Sequence, residues 1–217
     1  LALIYTGHKF HGDPGDEANL YQVQCLATSR DGIHFERQGM VVDTPPGMHH
    51  FRDPKVWREG DSWYMIVGAR EGDTGQVRLY RSADLRQWQD AGVLDEAEST
   101  MGYMWECPDF FTLNGKRVLM FSPQGMQAAG FSNRNLFQSG YLIGEWQPGQ
   151  RFIRHGEFRE MDNGHDFYAP QSFATPDGRR IAIGWLDMWE SPLPEQQDGW
   201  AGMLSLPREL SLSADDR

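Results

Sequence analysis

The feature that most constrains this chain is an internal repeat of roughly 53 to 60 residues. The segment A27-T-S-R-D-G-I-H-F35 recurs as Y80-R-S-A-D-L-R-Q-W88, and Ser29 then matches Ser82. A second unit runs from D53-P-K-V-W57 through a turn to the apolar run that follows it, and it returns as segments beginning at Asp109 and Ala169. Such a unit buries its apolar face only against its neighbours, so the repeat predicts similar pieces stacked in series.

The repeated pieces have the composition of β-strands. Short runs rich in Val, Ile, Tyr, Phe and Trp alternate with turns rich in Gly, Asp and Asn, and apolar residues almost nowhere recur at helical spacing. The clearest runs are W63-Y-M-I-V67, V77-R-L-Y80, R117-V-L-M-F121 and R180-I-A-I-G-W185. The repeat length fits a four-stranded β-propeller blade of the larger kind, with an irregular sandwich as the alternative.

The repeat divides the chain into an incomplete blade at residues 1–42 and complete blades at 43–98, 99–158 and 159–217. The first segment supplies the later strands of a blade without its innermost one. Propellers close as rings of about four to eight blades, so about three and a half blades would leave open edges. We therefore expect an all-β, incomplete propeller that is truncated at both ends.

Charge and cysteine content limit the partners and the compartment. A net charge of −11 argues against nucleic acid, whose protein partners carry a basic face. No apolar run is long enough to span a bilayer, so no membrane partner is expected. Cys25 and Cys107 form no C-x-x-C pair, which favours reduced thiols and a cytoplasmic protein.

Three segments at the predicted starts of blades each place an acid near a proline: F51-R-D-P-K55, W105-E-C-P-D109 and D166-F-Y-A-P-Q171. Innermost strands line the central channel, so acids at matched positions would converge on one pocket. Two facing carboxylates are the minimum for cleaving a glycosidic bond. Aromatic neighbours should raise the pKa of Glu106, as an acid requires, and Arg52 should keep Asp53 ionised. The alternative for each acid is a turn cap or a structural hydrogen bond.

The ordered set H50-F-R-D-P-K-V-W57, Y103-M-W-E-C-P-D-F-F111, S122-P-Q-G125 and D166-F-Y-A-P-Q171 with G184-W-L-D187 resembles glycoside hydrolase family 32. The resemblance implies a five-bladed propeller, usually followed by a β-sandwich, that needs neither metal nor cofactor. It also implies hydrolysis of terminal β-D-fructofuranosides, such as sucrose or sucrose 6-phosphate, with retention through a fructosyl-enzyme intermediate. The partner would be a small sugar.

The resemblance also implies roles for individual residues. Glu106 would be the general acid and base, Asp53 would hold fructose hydroxyls and stabilise the transition state, and Arg52 would bind the sugar. Cys107 would tune the surroundings of Glu106, or serve as a small buried hydrophobe.

Three further residues are expected at the rim of the pocket. Asp166 and Tyr168 would touch the substrate, with a strand hydrogen bond and a core aromatic as their alternatives. Trp185, with Trp189, would form an apolar platform for a sugar, or simply pack in the core.

One expected element is missing from the sequence. The family nucleophile is an aspartate in a W-x-N-D-P-N-G type motif, and no Asn-Asp-Pro-Asn run occurs in these 217 residues. The fragment by itself is therefore expected to be inactive. Two other functions remain open: a carbohydrate-binding propeller without catalysis, and a related propeller hydrolase that inverts the sugar and uses Asp53 or another acid as its base.

Overall fold

The computed structural model describes residues 1–98 and 100–213 of the chain. In these residues sixteen strands form four antiparallel sheets, joined in chain order in a propeller-like arrangement. The first sheet contains β1 (Ala2–Phe10), β2 (Leu20–Thr28) and β3 (Glu36–Val42). The second contains β4 (His50–Glu59), β5 (Ser62–Glu71), β6 (Thr74–Ser82) and β7 (Trp88–Glu96).

The remaining strands form the third and fourth sheets. The third contains β8 (Met104–Leu113), β9 (Lys116–Gln124), β10 (Gly140–Glu145), β11 (Ile153–Arg154) and β12 (Arg159–Glu160). The fourth contains β13 (Tyr168–Ala174), β14 (Arg180–Leu186), β15 (Met203–Leu204) and β16 (Arg208–Leu210). Two short 3-10 helices, Glu17–Asn19 and Pro194–Asp198, lie in connections. The predicted all-β propeller class is confirmed, and no described helix is both long and apolar enough to cross a bilayer.

The apolar core lies between successive sheets rather than in one central mass. One cluster joins the first and second sheets, around Phe51 and Met65. A larger cluster joins the second and third sheets around Trp105, which is fully buried and stacks on Phe121 at 4.0 Å. A third cluster, around Phe111, receives residues from the fourth sheet. Each sheet buries a face only against its neighbours, as propeller blades do.

The first repeated motif forms the same turn in two sheets. Ser29 Oγ accepts hydrogen bonds from the backbone N–H groups of Asp31 and Gly32 after β2. Ser82 Oγ accepts the matching pair after β6. The predicted match of Ser29 with Ser82 is confirmed, and it makes β2 the counterpart of β6. No described strand of the first sheet matches β4.

The innermost strands β4, β8 and β13 share an irregularity that creates the candidate site. Each advances three residues while its neighbour advances two, which is a β-bulge of one extra residue. The bulge residue precedes a proline and has positive φ: 65° at Asp53, 48° at Cys107 and 50° at Ala169. The structure therefore matches Asp53 with Cys107 and Ala169.

This match corrects the sequence alignment of the second repeat. The alignment placed Asp53 opposite Asp109, which is two residues too far along β8. The inference that three acids occupy equivalent positions is wrong. Glu106 matches Arg52 and Tyr168, and Asp166 lies before β13 begins.

A glycine permits the close approach of two blades at this point. Gly68, in β5, lies beside the carbonyl of Trp105 in β8, and a Cβ on Gly68 would stand 2.2 Å from that oxygen. Backbone contacts of this kind cannot be relieved by rotating a side chain. The lack of a side chain at Gly68 therefore allows the second sheet to pack against the bulge of the third.

Candidate active site

Glu106 is the centre of a convergent set of hydrogen-bond donors. Its Oε1 accepts from Arg52 Nε at 2.8 Å and Nη2 at 2.6 Å. Its Oε2 accepts from Gln124 Nε2 at 2.8 Å and from the Tyr168 hydroxyl at 2.5 Å. Because Arg52, Glu106 and Tyr168 hold the same bulge position in three successive sheets, the repeat itself brings them together.

The surroundings of Glu106 differ from the expected ones. The neighbouring ring of Trp105 points into the core, because successive side chains of a strand face opposite sides. The Glu106 carboxylate instead lies among polar donors, with its side chain 13% exposed. The expectation of an apolar environment around this acid is wrong.

Asp53 lies at the bulge of β4 and reaches the bulge of the next sheet. Its Oδ2 accepts from the backbone N–H of Cys107 at 2.9 Å, and its own N–H donates to Thr6 Oγ1 at 3.0 Å. Burial raises the pKa of Asp53 above its ordinary value, and the negative charge of Glu106 raises it further against the opposing hydrogen bond from Cys107. Arg52 pairs with Glu106. The charge of Arg52 does lower the pKa of Asp53, as expected, but burial outweighs it, so the expectation of a persistently ionised Asp53 is wrong.

Cys107 acts on Asp53 more directly than on Glu106. Its thiol donates to Asp53 Oδ2 at 3.5 Å, and both groups lie at matched bulges of adjacent sheets. Burial raises the pKa of the Cys107 thiol well above its ordinary value, and the charge of Asp53 adds to this effect. The thiol is therefore a neutral donor, and the role expected for it shifts from Glu106 to Asp53.

Tyr168 lies at the base of an aromatic group. Burial raises the pKa of its hydroxyl, as does the nearby charge of Glu106, so the hydroxyl remains a donor. The Trp189 ring packs edge-on against Tyr168 at 5.3 Å and lies between Phe137 and Trp185, at 4.9 and 6.4 Å. Trp189 is 47% exposed, so this aromatic group extends from the hydroxyl that contacts Glu106 to the protein surface. The use of Trp185 and Trp189 as a sugar platform remains a prediction.

Asp166 is placed apart from this network. It has a positive φ of 58°, and its carboxylate lies 3.0 Å from Nδ1 of the exposed His165. The hydrogen-bond donors to Glu106 come from other residues, namely Arg52, Gln124 and Tyr168. Its contact with a substrate remains a prediction.

Four residues of the network were not singled out by sequence reasoning. Gln22 Oε1 accepts from Arg52 Nη1 at 3.2 Å and from the Phe51 N–H at 2.9 Å, and His50 Nδ1 lies 2.9 Å from the same Nη1. Burial lowers the pKa of His50, and the charge of Arg52 lowers it further. The others are Gln124 and Thr6. Only Gln124 and His50 lay in quoted motifs, and Gln22 and Thr6 stand in strands without any such signal.

The arrangement suits proton transfer next to a bound polar molecule. The Glu106 carboxylate accepts four hydrogen bonds. The Asp53 carboxylate, whose pKa is raised, lies at the bulge of the adjacent sheet and accepts a hydrogen bond from Cys107, the residue after Glu106. In the described part of the chain, no three His, Cys, Asp or Glu side chains are arranged to hold a metal ion.

Comparison with known families gives one match across the chain. The model of the glycosyl hydrolases family 32 N-terminal domain matches residues 1–217. A sucrose-6-phosphate hydrolase of Escherichia coli is 59% identical over 214 residues, which is 98% of this chain and 45% of that protein. A raffinose invertase of Escherichia coli is 55% identical over 97% of this chain and 44% of the relative. The chain thus spans about half the length of the curated relatives it matches.

Solved structures share the fold. A Bombyx mori family 32 β-fructofuranosidase superposes with a TM-score of 0.92 at 43% identity, covering 98% of this chain and 46% of the other. The sucrose-6-phosphate hydrolase of Lactobacillus gasseri gives a TM-score of 0.87 at 30% identity, with 98% and 44% covered. A mutant of the Bombyx mori enzyme was solved in complex with sucrose.

Proposed function

The chain belongs to glycosyl hydrolase family 32, and from this premise we propose that the complete protein hydrolyses terminal β-D-fructofuranosides, with sucrose or sucrose 6-phosphate as substrate. The observation that carries the proposal is the Glu106 carboxylate, held by donors from three sheets beside a second carboxylate. Relatives named as hydrolases of sucrose 6-phosphate and as a raffinose invertase support the substrate class.

Glu106 is the general acid that protonates the leaving oxygen. Its Oε1 faces the fixed positive charge of Arg52, whereas the partners of Oε2, Gln124 and Tyr168, are uncharged. A proton on Oε1 would compete with two charge-assisted hydrogen bonds, so Oε2 carries the transferable proton. Arg52 thereby fixes both the orientation of the carboxyl group and the choice of oxygen.

Asp53 holds sugar hydroxyls and stabilises the positive charge that develops on the fructosyl ring. One of its oxygens is engaged by Cys107, which leaves Oδ1 to accept from the substrate. The reaction proceeds with retention, and the attacking carboxylate is not assigned to a residue of this chain. We expect residues 1–217 alone to show no turnover of sucrose, because they contain no Asn-Asp-Pro-Asn run.

The protein works in the cytoplasm, on a small sugar, without nucleic acid, membrane or cofactor. Its two cysteines are free thiols, which is the usual state in a reducing compartment. The net charge of −11 does not favour a phosphate backbone as partner.

Substitution of the acid tests the assignment. In the complete protein, Glu106→Gln should lower kcat for sucrose by about 10²- to 10⁴-fold, with a smaller loss on an activated aryl fructoside whose leaving group needs little protonation. Glu59→Gln is the matched control, because Glu59 also pairs with an arginine, Arg117, but at the far end of β4. Equal losses on the two substrates would rule out Glu106 as the acid.

A second candidate is a carbohydrate-binding propeller without catalysis. The residues of this chain fit it as well as hydrolysis, because no Asn-Asp-Pro-Asn run occurs among them. Titration calorimetry with fructose and sucrose, beside a hydrolysis assay of the complete protein, separates the two: binding without turnover supports the binder. If turnover occurs, NMR of the first fructose released distinguishes retention from the inverting alternative.

A further inference from the structure

A second set of contacts lies just past the bulges in the same three strands. Lys55 Nζ lies 3.2 Å from Asp109 Oδ2 and donates to Gln171 Oε1 at 3.2 Å and to the carbonyl of Ser172 at 2.6 Å. Asp109 is fully buried, and its Oδ2 also accepts from the N–H and the hydroxyl of Ser172, each at 2.7 Å. One lysine therefore ties β4 to both β8 and β13.

The members of this set follow the bulges in register. Lys55, Asp109 and Gln171 each stand three residues after a residue of the candidate site, which are Arg52, Glu106 and Tyr168 respectively. Each intervening pair is a residue with positive φ followed by a proline. Proline fixes φ near −65°, so this spacer is short and stiff. Movement of one end is therefore transmitted to the other.

The charges of Lys55 and Asp109 restrict this contact to one relative position of the strands. A fully buried carboxylate must be paired, because an unpaired charge in the interior is costly. Lys55 and Ser172 both contact the same oxygen of Asp109, Oδ2, and the Ser172 hydroxyl also accepts from Arg180 at 3.4 Å. An apolar contact would persist if one strand shifted along another, whereas these hydrogen bonds form only at one relative position of the strands.

We propose that Lys55 and Asp109 are positioning residues for the hydrolysis assigned above. They fix the positions of β4, β8 and β13 relative to one another, and this keeps Arg52 and Tyr168 in contact with the Glu106 carboxylate. The proposal rests on the proposed function. Lys55 and Asp109 do not contact the residues around Glu106 directly. Their effect on hydrolysis would pass through the three stiff bulges.

The test compares two substrates in the complete protein. Lys55→Met keeps most of the length of the side chain but removes its charge and its hydrogen bonds. We expect kcat for sucrose to fall about 10- to 100-fold, as displacements near 1 Å do at other sites, and kcat for an activated aryl fructoside to fall much less. Lys55→Arg, which retains the charge and donors, should recover most of the loss. Glu59→Gln, which breaks another ion pair between the same two sheets, should leave the ratio of the two kcat values unchanged.

The double variant Lys55→Met with Asp109→Asn separates positioning from stability. It removes the unpaired buried charge, so its melting temperature should recover toward that of the wild type while the kcat ratio stays altered. A kcat ratio equal to that of the wild type in both Lys55→Met and the double variant would refute the proposal, even if melting temperatures fall. Wild-type protein that hydrolyses neither substrate would instead refute the proposed function.

Discussion

The two substitutions Asp53→Asn and Asp53→Ala should both abolish hydrolysis but should differ in stability. Asp53 has φ of 65°, a region that Asn tolerates and that costs Ala about 1–2 kcal/mol. Asn also keeps a side-chain oxygen to accept from the Cys107 N–H, which Ala would leave unsatisfied at about 1–3 kcal/mol. The free energy of unfolding of the Ala variant should therefore be lower than that of the Asn variant by about 2–5 kcal/mol.

The pH dependence of the Asn variant tests the burial of the charge. Burial raises the pKa of Asp53, so the folded state binds this proton more tightly than the unfolded chain, whose Asp titrates near pH ~3.9. The contribution of Asp53 to stability is then greatest below that pH and falls as pH rises through the higher folded value. Asn has no proton to lose at this position. The free energy of unfolding of Asp53→Asn minus that of the wild type should thus increase from pH 4 to pH 7.

Urea denaturation of the wild type and both variants of the complete protein, at pH 4, 5.5 and 7, supplies these differences. Subtraction removes the titration of the groups that do not interact with residue 53, because the three proteins differ only at that position. Equal stability of the Asn and Ala variants would contradict the bulge conformation and the Cys107 hydrogen bond. A difference between Asn and wild type that shrinks toward pH 7 would contradict the burial of an ionised Asp53.

Three further outcomes are expected of the complete protein. Tyr168→Phe removes a hydrogen bond to the Glu106 carboxylate, which contributes about 1.5–3 kcal/mol, so kcat/KM for sucrose should fall by about 10- to 150-fold. Steady-state kinetics that show no loss would contradict the contact between Tyr168 and Glu106. Gly68→Ala places a Cβ against a backbone oxygen, so thermal unfolding should show a loss of about 1–3 kcal/mol, and an unchanged melting temperature would argue against the close packing of β5 on β8. Because burial raises the pKa of the Cys107 thiol, iodoacetamide at pH 8 should modify it slowly in the folded protein and readily in urea, as mass spectrometry of the labelled peptide would show.

The sequence by itself determined the fold class and the motifs whose residues meet at the candidate site. Strand composition, turn chemistry and the repeat of Ser29 at Ser82 are local signals. They predict the sheets correctly because each sheet is formed by residues that are contiguous in the chain. Motifs around Asp53 and Glu106 also mark the strands that form the site.

Tertiary structure decided which groups meet at the site. A bulge inserts one residue into a strand and reverses which side chains face inward after it, so periodicity alone could not show that Asp53 matches Cys107 rather than Asp109. The partners of Glu106 come from three sheets, and their sequence separations of 18, 54 and 62 residues leave no local signal. Arg52 lies next to Asp53 in the chain, yet it pairs with Glu106, because the β4 bulge turns the two side chains of that motif toward different neighbours.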